Sequence, residues 1–254
     1  MKVEKQRIDK LLAERSLVSS RERAQAMILA GRVLVNEQKV TKAGQAVAVD
    51  AEIRLLGDQP RYVSRGGLKL EAALRHWSIA VEGRGCMDVG TSTGGFTDCL
   101  LQAGAAAVVA VDTGRGQIDA HLRTHPKLRL MENTNARFLE ASQVPEELSL
   151  MVMDVSFISA TLVLPAVVRA LWAGREIEPR ESVVLVKPQF EVGREKIGKG
   201  GIVRDAAAQQ GAVDKLRACA VELGAAETDV IDSPILGMEG NREFLLYTRW
   251  NRIG

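Results

Sequence analysis

Residues 87 to 98 read Met-Asp-Val-Gly-Thr-Ser-Thr-Gly-Gly-Phe-Thr-Asp, and this stretch decides the fold. An apolar strand end passes through Asp88 into a glycine-dense loop, and an amphipathic run follows. Gly90, Gly94 and Gly95 allow backbone conformations and a close approach that larger side chains prevent. The N–H groups at the start of the next helix can then face a bound molecule. The stretch therefore predicts a strand, a ligand-binding loop and a helix in a nucleotide-binding domain.

Asp112 ends the next apolar strand, Ala107-Val-Val-Ala-Val-Asp112, where a doubly wound domain holds ribose hydroxyls. The spacing Gly90-x-x-x-Gly94-Gly95 departs from G-x-G-x-x-G, which favours S-adenosylmethionine over NAD. An ordinary tight turn between a strand and a helix would use the same glycines. Asn135 is expected near the adenine, but an asparagine at this place could instead only close a turn. The predicted cofactor-binding residues are Asp88, Gly90, Ser92, Gly94, Gly95, Phe96, Thr97, Asp112 and Asn135.

Two further apolar runs end in a charged residue, Leu150-Met-Val-Met-Asp154 and Val183-Val-Leu-Val-Lys187. In an open parallel sheet, ligands bind beyond the carboxyl ends of the strands. We therefore expect Asp88, Asp112, Asp154 and Lys187 to converge on one crevice.

The hydrophobic periodicity predicts two helices and a small sheet in the first sixty residues, then an α/β sheet of seven strands. The polar turn Gly57-Asp-Gln-Pro60 divides the chain into domains 1–60 and 61–254, with a linker at 57–66. The predicted strands are 86–89, 107–111, 128–132, 150–155, 183–187, 229–235 and 243–249, and the helices are 67–77, 95–104, 116–124, 158–173 and 204–223.

The net charge of +2 conceals an asymmetry between the two parts. Residues 1–75 contain fifteen Lys/Arg and nine Asp/Glu, whereas acidic residues are in excess in the remainder. A basic module beside a slightly acidic one indicates a polyanionic substrate. The three cysteines and three histidines have no metal-ligand spacing, so we expect no metal. No apolar run is long enough to span a bilayer and no signal-peptide pattern is present, so we expect a cytoplasmic protein without membrane association.

The amino-terminal part resembles the S4 RNA-binding domain at Arg7-Ile-Asp-Lys-Leu-Leu, Ser20-Arg-Glu-Arg-Ala and Ile28-Leu-Ala-Gly-Arg-Val-Leu-Val-Asn. This resemblance implies that the helix pair contacts RNA, and arginines on one side could meet phosphates. The alternative for each is an ordinary solvated side chain. The predicted RNA-binding residues are Arg7, Lys10, Arg21, Arg23, Arg32 and Arg65.

The larger part resembles the FtsJ-like ribose 2′-O-methyltransferases, and the whole chain resembles the TlyA/hemolysin A family of ribosomal RNA methyltransferases. The resemblance rests on Tyr62-Val-Ser-Arg-Gly-Gly, on the glycine loop, on Asn133-Thr-Asn-Ala-Arg, on Asp154-Val-Ser-Phe-Ile-Ser and on Val186-Lys-Pro-Gln-Phe-Glu-Val-Gly. It implies a Rossmann-like methyltransferase domain that uses S-adenosylmethionine. It also implies a catalytic tetrad of Lys69, Asp154, Lys187 and Glu243.

Methyl transfer to a ribose hydroxyl requires the oxygen to lose its proton as it attacks. Lys187 is the expected base, because a second lysine and a positive sulfur nearby favour its neutral amine. Asp154 and Glu243 would orient the lysines, and Lys69 would stabilise charge on the oxygen. Lys69 could instead be a solvated residue on the surface of its helix. Glu239 is the alternative to Glu243 as the fourth member of the tetrad.

The resemblance implies methylation of cytidine 2′-hydroxyls in ribosomal RNA, with the 30S subunit, the 50S subunit or both as partners. Phe157 and Phe190 could stack an extruded base, although ordinary packing explains two aromatic residues equally well. Two other functions are weighed against methyl transfer: an inactive RNA-binding factor for ribosome assembly and, ranked last, a membrane-active hemolysin.

Overall fold

A computed structural model describes residues 4–15, 17–18, 20–57, 60–145, 147–176, 178–251 and 253. Its amino-terminal head contains two helices and five short strands. They are β1 (Lys5–Arg7), α1 (Ile8–Glu14), α2 (Arg21–Leu29), β2 (Val33–Val35), β3 (Gln38–Val40), β4 (Ala46–Ala48) and β5 (Ile53–Leu55).

The head has its own core because apolar residues recur at helical spacing on α1 and α2. Ile8, Leu12 and Ile28 are fully buried in one cluster with the valines of β2. The sheet β3-β2-β5 is antiparallel, and β1 pairs with β4. The predicted helix pair and small sheet are therefore present. The predicted boundary turn includes residues 58 and 59, which lie outside the described residues, so the division at residue 60 stays a prediction.

The rest of the chain alternates strands and helices around one large sheet. Its elements are α3 (Gly66–His76), β6 (Gly85–Val89), α4 (Gly95–Gln102), β7 (Ala107–Val111), α5 (Ala120–Arg123), β8 (Leu128–Met131), β9 (Leu148–Met153), α6 (Leu164–Trp172), β10 (Glu181–Val186), α7 (Pro188–Glu191), α8 (Ala206–Glu222), β11 (Ala225–Asp232) and β12 (Phe244–Trp250).

The sheet has the predicted seven strands, in the order β11-β12-β10-β9-β6-β7-β8. Strands β8, β7, β6, β9 and β10 are parallel, and β12 runs antiparallel to both of its neighbours. The chain leaves β6 toward β7 and later returns on the other side as β9. The crevice at such a reversal is where open α/β sheets bind ligands.

Both faces of the sheet are covered, which explains the almost uninterrupted apolar runs of β7, β9 and β10. Helices α3 and α4 pack on one face, and α6 and α8 pack on the other. This is the expected Rossmann-like architecture.

Two predicted helices are shorter than their patterns indicated. The helix expected over 116–124 is reduced to α5, because Asp119 accepts a hydrogen bond from the His121 N–H and caps the helix there. The helix expected over 158–173 begins only at Leu164, after a 3₁₀ turn, and Phe157 before it has a positive φ of 64°. The strand expected over 229–235 lies earlier, at β11.

Candidate active site

The glycine loop crosses directly over the end of β9. Gly90 has a φ of 85°, and a Cβ at this position would lie 2.4 Å from the carbonyl oxygen of Asp154. Gly94 has a φ of 97° and precedes the first residue of α4. Glycine is therefore required at both places, because side chains disfavour this conformation and Gly90 also lacks space for a Cβ.

Asp88 lies beneath this loop and does not line the crevice. Its side chain is fully buried, and its Oδ2 accepts a hydrogen bond of 2.6 Å from the Thr97 hydroxyl. Burial raises the pKa of Asp88 to about 7. Thr97 is fully buried as well, and neither side chain lines the cleft described below, so the assignment of Asp88 and Thr97 to the cofactor stays a prediction.

Asp112 fixes the opposite side of the loop. Its carboxylate accepts hydrogen bonds of 2.7 Å from the N–H groups of Ser92 and Gly114. Two acceptor directions of a carboxylate stay available for ribose hydroxyls. Asn135 is exposed, and its side chain accepts a hydrogen bond from the Arg137 N–H at the start of a 3₁₀ turn. The turn-closing alternative therefore describes what Asn135 does in this structure.

The four predicted catalytic residues form two ion pairs. Lys187 Nζ lies 2.6 Å from Asp154 Oδ1, and it donates a 2.7 Å hydrogen bond to Ser156 Oγ. Lys187 and Asp154 therefore form an ion pair at the adjacent ends of β10 and β9. Lys69 Nζ donates to Glu243 Oε2 at 2.5 Å.

The contact between Lys69 and Glu243 bears on two alternatives from the sequence: a solvated Lys69, and Glu239 in place of Glu243. The side chains of Lys69 and Glu243 are only 10% and 4% exposed, so Lys69 is not a solvated helix residue. Glu239 is exposed, and it is Glu243 that contacts the lysine.

A cleft of about 710 Å³ contains both pairs, which is within the range of small-molecule sites. From the predicted cofactor residues, Gly90, Ser92, Gly95 and Phe96 contribute to its walls, as does Arg65 from the predicted RNA contacts. The other predicted cofactor residues are not part of this wall: Asp88, Gly94, Thr97, Asp112 and Asn135.

The cleft has an exposed apolar rim, of which the sequence indicated only Phe157 and Phe190. Phe157 is 92% exposed, and its ring centroid lies 5.4 Å from that of Phe190. Met238 and Leu236 on the other side are 93% and 57% exposed. Ser156 could have been inferred from its place between Asp154 and Phe157, whereas nothing in the sequence marks Met238.

The predicted RNA-binding residues fall into two groups on the head and its junction. Arg7 and Arg21 both contact Asp9, whereas Lys10 forms an ion pair with Glu14 on α1. Arg23, Arg32 and Arg65 line a groove between α2 and the start of α3. Arg23 also donates to the carbonyl oxygen of Val63, which joins the head to the larger part.

Comparison with known proteins agrees with both parts of this structure. Residues 62–250 match the model of the FtsJ-like methyltransferases, and residues 6–53 match the S4 domain. This chain belongs to the TlyA/hemolysin A family. It is 42% identical over 244 residues to the 16S/23S rRNA (cytidine-2'-O)-methyltransferase TlyA of Mycobacterium tuberculosis, covering 96% of this chain and 89% of that protein.

Two other members of the TlyA/hemolysin A family show similar agreement. YqxC of Bacillus subtilis is 41% identical, with 98% of this chain and 88% of YqxC covered. A solved structure from Streptococcus thermophilus, described as a hemolysin, is 41% identical with a TM-score of 0.72, and the match covers 98% of this chain and 90% of that one.

Proposed function

We propose that this protein transfers a methyl group from S-adenosylmethionine to the 2′-hydroxyl of a cytidine in ribosomal RNA, within the 30S subunit, the 50S subunit or both. The observation that carries the proposal is the pair of Lys–carboxylate contacts in one cleft with the glycine loop. Burying Lys69 with Glu243 and partly burying Lys187 with Asp154 has a desolvation cost, and such an arrangement is unusual without a chemical role.

The glycine loop fits the proposed cofactor. The absence of a Cβ at Gly90 lets the loop pass directly over the Asp154 carbonyl at the end of β9, and Gly95 and Phe96 continue the wall of the cleft. Asp112 retains acceptor directions for hydroxyl groups at the end of β7. S-adenosylmethionine supplies an electrophilic methyl group on a sulfonium, whose positive charge would also favour the neutral form of Lys187.

Lys187 is the proposed base for the proton of the attacking hydroxyl. Ser156 and Asp154 hold its Nζ in one position, which aligns the acceptor with its substrate. With Lys187 in its neutral form, Nζ would accept the proton of the 2′-hydroxyl as the oxygen bonds to the methyl carbon, and the bond from that carbon to the sulfonium sulfur would break, so that the thioether leaves.

Lys69 is the proposed electrostatic partner of the reacting oxygen. Its ammonium group is held by Glu243 and lines the same cleft. A fixed positive charge in a largely desolvated place stabilises negative charge on oxygen more strongly than it would in water.

Phe157 is the proposed platform for the base attached to the target ribose. Ordinary packing does not explain a ring that is 92% exposed. Its positive φ is a costly conformation for a bulky residue, and such strain concentrates at functional sites. Base stacking on the ring would hold an extruded nucleotide over the cleft.

The S4 head is the proposed RNA-binding part. The proposed location of the enzyme is the cytoplasm, because its proposed substrates are ribosomal subunits. An inactive assembly factor would have no use for one buried and one partly buried ion pair in the same cleft. Among the described residues, no helix has the length and apolar character needed to cross a membrane, and no group of three or more His, Cys, Asp or Glu side chains is arranged to hold a metal ion.

The direct test is methylation of unmodified ribosomal subunits. Purified protein is incubated with labelled S-adenosylmethionine and with 30S and 50S subunits separately, and label is mapped by resistance to alkaline cleavage. We expect a labelled 2′-O-methylcytidine in at least one subunit. If neither subunit is labelled although cofactor binding is shown independently, the protein is not this enzyme.

A further inference from the structure

Glu191, the last residue of α7, is a buried carboxylate that the proposed reaction does not use. Its side chain is 2% exposed. Oε1 accepts a 2.6 Å hydrogen bond from the Ala160 N–H, and Oε2 accepts one from the Ser159 hydroxyl. Lys215 on α8 donates to Oε2 at 3.2 Å and to the Glu191 carbonyl oxygen at 3.1 Å. Both carboxylate oxygens are therefore satisfied, and the buried charge has a cationic partner.

These contacts join the two segments that carry the proposed base and the two aromatic rings of the cleft. Lys187 and Phe190 precede Glu191 on the segment that leaves β10. Phe157 precedes Ser159 on the segment that leaves β9. The ring centroids of Phe157 and Phe190 are 5.4 Å apart. Glu191 thus links the two segments behind the rings, without lining the cleft itself.

The segment that carries Phe157 depends on this link because it does not cap its own turn. A 3₁₀ turn begins at Ala160, and Ser159 before it donates its hydroxyl to Glu191 instead of capping that turn. Phe157 has a φ of 64°, and a bulky residue keeps such a conformation only where its surroundings impose it. The Asp154 N–H, bonded to β6, anchors the chain before Phe157. Glu191 provides the anchor after it.

We infer that Glu191 is the positioning residue for the Phe157 ring, holding the strained segment so that the ring stays beside Phe190 and can stack the base of the target nucleotide. The inference rests on the proposed function, because it assigns a role in presenting RNA to the cleft. Glu191 is buried and does not line the cleft, so it acts through Ser159 and Ala160 and not by contact with RNA or cofactor.

Glu191→Gln tests the inference, because the amide keeps the shape of the side chain and turns one acceptor into a donor. In either orientation the amide nitrogen faces a donor, the Ala160 N–H or the Lys215 ammonium group. The position of the ring is followed by ¹⁹F NMR of protein labelled with 4-fluorophenylalanine at its five phenylalanines. Phe157→Leu assigns the resonance of that ring. We expect Glu191→Gln to move the Phe157 resonance toward the position of the free amino acid.

Glu181→Gln is the matched control. Glu181 begins β10, at the opposite end of the strand from Lys187, and its side chain, 13% exposed, lies 2.6 Å from Arg84. Both variants disrupt a buried carboxylate and its cationic partner, so both should lower the urea unfolding midpoint. Only Glu191→Gln should move the Phe157 resonance. A Phe157 resonance that is the same in Glu191→Gln and in the wild type overturns the inference.

A double-mutant cycle with Phe157→Ala connects the position of the ring to methyl transfer. Single-turnover rates at saturating cofactor and ribosomal subunit are compared for the wild type, the two single variants and the double variant. We expect each single variant to be about tenfold slower and the double variant to be no slower than Phe157→Ala. The calorimetric affinity for the cofactor should stay unchanged.

The two measurements separate the inference from the proposed function. Additive losses in the cycle overturn the inference, because Glu191 would then act independently of the ring. A wild type that methylates neither subunit contradicts the proposed function instead. The fluorine resonances then still decide whether Glu191 holds the ring, since they require no activity.

Discussion

Lys69 Nζ and Glu243 Oε2 lie 2.5 Å apart although their residues are separated by 174 positions in the chain. Lys69 is in the first turn of α3, and Glu243 directly precedes β12, the antiparallel strand of the sheet. The contact therefore joins the beginning and the end of the larger part at the cleft. Both charges are desolvated, so each depends on the other.

Glu243→Gln should lower both stability and activity. The substitution leaves the Lys69 ammonium buried without its counter-charge, and losing one partner of such a pair typically costs about 3–5 kcal/mol. Urea unfolding followed by circular dichroism measures the loss of stability, and methyl transfer is measured well below the unfolding midpoint.

The double variant Lys69→Met/Glu243→Leu provides the control for this prediction. Apolar replacements of similar volume remove both desolvation costs, so stability should return close to the wild-type value. Methyl transfer should stay lost because no charge faces the reacting oxygen. Recovery of activity together with stability would show that the pair has only a structural role.

Lys187→Met should reduce the rate of methyl transfer by about 100-fold or more, the typical contribution of a positioned base. Cofactor and RNA affinity should change little, since the proposed role is in the chemical step. Single-turnover rates at saturating cofactor test this, and calorimetry tests cofactor binding. Lys127→Met is the control, because Lys127 donates to the Ala105 carbonyl at the opposite end of the sheet. Unchanged turnover in Lys187→Met would remove the proposed base.

The parallel strands and their charged ends could be predicted because their signals are local. The apolar runs Leu150-Met-Val-Met and Val183-Val-Leu-Val end directly in Asp154 and Lys187, which line the cleft, and parallel strands bring such ends together. Asp154 and Lys187 were therefore expected to converge, and they form an ion pair.

The burial of individual side chains could not be read from the same patterns. Lys69 has the sequence context of a solvated helix residue, and only its contact with Glu243 shows otherwise. Asp88 follows the same strand-end pattern as Asp154 but lies under the glycine loop. Phe157 directly precedes the expected helix and has a positive φ that no propensity of phenylalanine indicates, and the helix begins only at Leu164. These properties depend on tertiary contacts distant in sequence.

Gly90→Ala should abolish cofactor binding. The added Cβ would lie 2.4 Å from the Asp154 carbonyl oxygen, which belongs to the backbone and cannot rotate away. Gly83→Ala is the matched control, because Gly83 has a similar φ of 72° but nothing within 4 Å of its Cβ position. The control should lose only about 1–2 kcal/mol of stability and should bind the cofactor normally. Equal calorimetric affinities of the two variants would contradict the role assigned to the loop.

Asp88 should make the stability of the protein fall as the pH rises from about 4 to about 7. In the unfolded chain this carboxyl ionises near its ordinary pKa of 3.8, whereas burial raises its pKa in the folded protein to about 7. Between these values the native state holds a proton that the unfolded state has released, so folding is penalised by up to about 1.4 kcal/mol per pH unit.

Asp88→Asn isolates this contribution, because asparagine resembles the protonated acid and cannot ionise. Carboxylates such as Asp9, whose pKa is lowered on folding, contribute the opposite slope, but they are present in both proteins and cancel in the difference. We expect the free energy of unfolding of the wild type to fall relative to that of Asp88→Asn between pH 4 and pH 7. Below pH 4 the difference between the two proteins should be constant. Urea titrations at several pH values measure this difference. Parallel curves throughout would mean that Asp88 is already ionised in the folded protein, with the negative charge beneath the loop stabilised by the Thr97 hydroxyl.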